Sequence, residues 1–91
     1  MSNKISALYG RGAARDFLDV DVIRSSGRFS DEQLLCLSEE RDPGFDRTLF
    51  AQQLQRVMRI EPEEVKIYGA SVQQWTQVQG RLLEWSQKIL R

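Results

Sequence analysis

Histidine is absent from the 91 residues, and Cys36 is the only cysteine. The first absence removes Ser-His, Cys-His and His-metal chemistry from this chain. The second removes an intrachain disulfide and a thiolate zinc cluster. Proline occurs twice and glycine six times, too rarely for long flexible stretches. No apolar run approaches the ~20 residues that a bilayer-crossing helix needs. The start Met1-Ser2-Asn3-Lys4 carries no apolar leader, so no membrane partner is expected and the compartment reads as cytoplasmic. Net charge is missing too, since thirteen basic side chains balance thirteen acidic ones. That balance argues against a strongly basic nucleic-acid footprint over the whole surface. What remains is carboxylate, lysine and arginine chemistry, the kind that meets magnesium and phosphate.

What is present points to a single helical domain over residues 1–91. Apolar residues make up 41% and charged residues 29%, which is ordinary for a folded protein and too apolar for a disordered one. Ile5, Leu8 and Tyr9 lie at helical spacing, and Gly10 and Gly12 end that element. A second helix runs from about Arg15 to Ser25 and stops at Gly27. Ser30 with Gln33 forms a capping box, and Phe29 before it can staple onto Leu34. That third helix reaches Arg41, where Asp42-Pro43-Gly44 breaks it. Asp46 repeats the device with Phe45 placed to reach Phe50. Its helix extends to about Arg59, with Phe50, Leu54, Val57 and Met58 along one face. Glu61-Pro62-Glu63-Glu64 opens either a short helix or an extended stretch over Val65–Tyr68. After Gly69, Ser71 caps a long amphipathic helix with Val72, Trp75, Val78, Leu82, Trp85 and Ile89 as its apolar stripe. The expected architecture is all-α: a small orthogonal bundle of about five helices ending in that long one.

Chemistry concentrates between Lys4 and Asp21. Gly10-Arg11-Gly12 invites a phosphate-loop reading, but the third glycine of a GxGxxG pattern falls on Arg15, and the Walker lysine and hydroxyl are missing. A helix stop followed by a turn is the plainer reading. In the second helix Phe17, Leu18, Val20, Val22 and Ile23 point in nearly every direction, so burial on most sides is expected. Asp16 and Asp19 share one face of it, while Asp21 points away. A carboxylate buried without a partner is costly, and Arg15, Arg11 and Lys4 are the nearby cations. A helical hairpin could bring Lys4 to Asp16. The bland alternative is a first-turn aspartate favoured by the helix dipole and paired with an arginine. Trp75 and Trp85 read as core packing, with a partner surface as the alternative.

The stretch from Asn3 to Val20 resembles the later part of AbiEii-type nucleotidyltransferases, toxin components of bacterial toxin–antitoxin and abortive-infection systems. The residues that carry the likeness are Lys4, Ala7, Arg11, Arg15, Asp16, Phe17 and Asp19. Glu40-Arg41-Asp42-Pro43-Gly44-Phe45 and Tyr68-Gly69 continue it over most of the chain. The resemblance implies magnesium and a nucleoside triphosphate as ligands of full-length relatives, RNA as an acceptor and an antitoxin as a partner. It implies catalytic roles for Lys4, against triphosphate charge, and for Asp16, assisting the attacking hydroxyl. Asp19, Arg11 and Arg15 would support them. The family's Gly-Ser turn and strand-borne Asp-x-Asp metal pair have no room before Lys4. Asp19-Val20-Asp21 is a poor stand-in, because on a helix its two carboxylates diverge by about 160°. The expectation is therefore a C-terminal helical part, lacking its catalytic partner domain, inactive alone and without a cofactor or complete metal site of its own. The alternative is a helical module for self-association or for binding another protein.

Overall fold

The computed structural model describes residues 2–91; Met1, read above for a leader, lies outside them. Helix α1 spans Ser2–Gly10, α2 Ala14–Ser25, α3 Asp31–Arg41, α4 Arg47–Gln55, α5 Pro62–Lys66 and α6 Val72–Leu90. A 3-10 turn over Arg56–Arg59 follows α4, and no strand occurs among the described residues. The all-α expectation holds, with six helices in place of about five. The added one begins at Pro62, whose missing N–H costs nothing in a first helical turn. Glu64 Oε2 accepts from the Glu61 N–H at 2.9 Å and closes that start.

Local chemistry sets most of the helix ends. Ser30 Oγ accepts from Gln33 N at 3.1 Å, and Gln33 Oε1 accepts in return from Ser30 N at 2.8 Å. Ser71 and Gln74 repeat the exchange at 3.1 and 2.9 Å at the head of α6. Asp46 is a one-way cap: its Oδ1 accepts from Thr48 N and Leu49 N, and Leu49 has no group to return the bond. At the end of α1, the N–H groups of Arg11 and Gly12 both donate to Ala7 O, at 2.8 and 3.2 Å. Gly12 has φ +63°, and a Cβ there would strike the Gln53 amide. That amide donates to Leu8 O at 2.9 Å, tying α4 to α1. Gly10-Arg11-Gly12 is thus a helix stop.

The core collects Ile5 and Leu8 of α1, Phe17 and Val20 of α2, Leu34 of α3, Phe50 and Leu54 of α4, and Trp75, Leu82 and Trp85 of α6. An aromatic chain runs through it: Tyr9 to Phe45 at 4.9 Å between ring centroids, Phe45 to Phe50 at 5.4 Å, and Phe50 edge-on to Trp85 at 5.3 Å. α6 lies along α4, where the buried Ser86 hydroxyl donates to Ala51 O at 2.7 Å. Where α4 tightens into the 3-10 turn, Trp75 Nε1 donates to Ile60 O and Gln79 Nε2 to Val57 O. These bonds occupy carbonyls that a continuing α-helix would have used. The Trp85 N–H is buried without an acceptor among the described residues, while Arg24 stacks over its ring at 4.5 Å.

Two sequence expectations change. Met58 is exposed although Val57 is buried, because three residues per turn shifts the register that a helix through Arg59 would keep. Val72 is exposed at the open start of α6, outside the stripe that Trp75 begins. α2 is buried or half-buried on most sides, as expected: Phe17 and Val20 lie in the core, Leu18 and Ile23 pack against it, and Val22, 68% exposed, is the exception among its large apolar residues.

Candidate functional site

α1 and α2 form the hairpin that the glycine stop allows, and it carries two separate ionic groups. In the first, Arg11 grips Asp16 with both ends of its guanidinium: Nε to Oδ2 at 2.9 Å and Nη2 to Oδ1 at 2.6 Å. The Ala13 N–H adds a third bond to Oδ2 at 2.9 Å. The Asp16 side chain is only 3% exposed. Hydrogen bonds from Arg11 hold its carboxyl below the ordinary carboxylate range, against burial that pushes the other way, and the Ala13 N–H and the Arg11 charge add to the lowering. The Arg11 guanidinium is raised in turn, first by the same hydrogen bonds and then by the charge of Asp16. With both oxygens held, Asp16 caps the start of α2 and fixes the hairpin turn.

The second group is open. Lys4 Nζ donates to Asp19 Oδ2 at 3.2 Å, and Arg15 Nε lies 3.7 Å from the same oxygen. The hairpin therefore brings Lys4 to Asp19, one turn of α2 beyond the Asp16 that the sequence paired it with. Asp19 keeps 30% of its side chain exposed and Lys4 48%. All five sequence-named residues, Lys4, Arg11, Arg15, Asp16 and Asp19, lie on this hairpin; Asp16 alone is buried, closed off by an Arg11 that itself faces solvent, and the other three are open or partly open.

Arg15 and Asp19 also stand on one wall of a groove of about 500 Å³ between α2 and α6. Leu18 and Val78 lie on its two walls, and Tyr68–Ala70, the turn before α6, lines it as well. On the α6 side Arg81 holds Asp21 through two bonds, Nε to Oδ1 at 2.9 Å and Nη2 to Oδ2 at 2.7 Å. Asp21 points away from Asp16 and Asp19, as its place on the helix requires, and is buried against α6, where the hydrogen bonds with it raise the Arg81 guanidinium. Arg81 lies off the apolar stripe of α6, and nothing local in the sequence links it to Asp21. The one available signal was an acid inside an apolar helix, which requires a cation from somewhere.

Magnesium, implied by the resemblance, finds no donor set in these residues. Among the described residues no three acidic, cysteine or histidine side chains converge. Asp16 and Asp19 are each already matched by cations. None of the described helices is long and apolar enough to cross a membrane. No family model, no curated protein and no solved structure matches the chain.

The paired state of Asp16 has a pH signature. Its folded value lies below the ordinary 3.8, so its stabilisation is complete above that value and is lost as pH falls through the folded one. Asp16→Asn keeps the shape and loses the charge. The variant should lose about 1–3 kcal/mol near neutral pH, because the charge facing Arg11 is gone and the amide NH2 sets a donor where Asp16 had its second acceptor. The two proteins should converge at pH values below the folded one. Urea midpoints at neutral and acid pH measure the difference; a gap that does not close in acid would assign the cost to packing instead of charge.

Proposed function

We propose that the chain is a nucleotidyltransferase-like helical domain of the AbiEii type, the companion of a catalytic unit and inactive alone. The observation that supports it is the open cluster of the hairpin, where Lys4 and Arg15 flank Asp19 beside a groove large enough for part of a small ligand. Phosphoryl chemistry asks a protein mainly for positioning and charge compensation. Lys4 and Arg15, each more exposed than Asp19, are placed to compensate the triphosphate of a nucleotide arriving at this edge. Asp19 then offers the accessible carboxylate toward an acceptor hydroxyl, as on RNA. Asp16 is a positioning residue, holding Arg11 and the turn that sets Lys4 opposite Asp19. The catalytic unit brings a Gly-Ser turn, which these 91 residues lack, and a strand-borne Asp-x-Asp in place of the helical Asp19-Val20-Asp21.

Transfer of labelled nucleotide to RNA tests the reading. The chain alone should transfer nothing above background. Mixed with or fused to a catalytic unit that bears Gly-Ser and Asp-x-Asp, it should give magnesium-dependent transfer. Lys4→Ala should reduce that transfer by roughly 10²-fold, as for the loss of one charge-stabilising donor. Robust transfer by the isolated chain, abolished by Asp16→Ala, would overturn the claim of inactivity. Transfer in the assembled system that ignores both Lys4→Ala and Asp19→Ala would remove the hairpin from the chemistry.

A further inference from the structure

No further inference is drawn: the strongest candidate, the cleft between the α1–α2 turn and the 3-10 turn that Arg56 and Arg59 line beside the start of α2, carries nothing, because a helix start next to two exposed arginines does not by itself define a ligand site and the one buried polar side-chain group without a partner among the described residues, the Trp85 N–H, is not part of it.

Discussion

Replacing Phe50 with alanine is expected to cost about 3–5 kcal/mol, the range for deleting a fully buried aromatic ring. Phe50 is wholly buried on α4 between Phe45 and Trp85, and Phe45 passes the contact on to Tyr9. The ring therefore joins α1, the loop before α4, α4 itself and α6. The Tyr9 hydroxyl donates to Gly44 O at 3.4 Å and accepts from Asp46 N at 3.3 Å, so the same chain of rings steadies the loop that positions the Asp46 cap. A domain of this length has roughly 5–14 kcal/mol in total. The substitution should remove about a fifth or more of that and lower the melting temperature by about 15–30 °C. Leu49→Ala, one position earlier and half exposed, should stay within about 0.5 kcal/mol of the parent. Thermal and urea denaturation followed by circular dichroism read both. A Phe50→Ala protein within about 1 kcal/mol of the parent would mean that the neighbouring helices collapse into the space, and that the aromatic chain does not organise the core.

The parts of this fold that were legible in the sequence are those whose causes are local. Ser30 with Gln33 and Ser71 with Gln74 make their bonds within three residues, so their helix starts can be read from the letters alone. Gly12 likewise stops α1 through its own backbone, whose φ of +63° is a property of the turn. The stripe of Trp75, Val78, Leu82 and Trp85 survives because α6 is long and regular. Local reading failed where a register slipped. The tightening of the chain at Arg56–Arg59 turned Met58 outward, and no residue there announces a 3-10 turn.

The hairpin site was legible in membership and illegible in pairing. Lys4, Arg11, Arg15, Asp16 and Asp19 could be named together because they sit within sixteen residues of chain. Whether Lys4 meets Asp16 or Asp19 depends on how far α1 reaches along α2, which the core residues Ile5, Leu8, Phe17 and Val20 decide. Those residues place Lys4 beside Asp19 and leave Asp16 to Arg11. The burial of α2 on most sides was legible because its apolar residues point nearly all round; Val22, at the groove, is the one large apolar residue of it left exposed.

The pair least visible in the sequence should have the most unequal substitutions. Asp21 and Arg81 are 60 residues apart, and their two bonds hold α2 to α6 across the foot of the groove. The Asp21 side chain is 7% exposed, while that of Arg81 is 47% exposed. Arg81→Ala strands a buried carboxylate and should cost about 2–4 kcal/mol, somewhat below a fully buried pair because water reaches the guanidinium side. Asp21→Ala strands a guanidinium that solvent can hydrate, and should cost only about 1–2 kcal/mol. Arg81→Lys should recover little of the loss, since one ammonium cannot reproduce a two-pronged grip. The double variant should resemble Asp21→Ala, because once the carboxylate is gone the arginine has nothing left to neutralise. A thermodynamic cycle from urea denaturation measures all three. Equal costs for the two single variants would place the pair in solvent, and α2 would then be held to α6 by apolar contact alone.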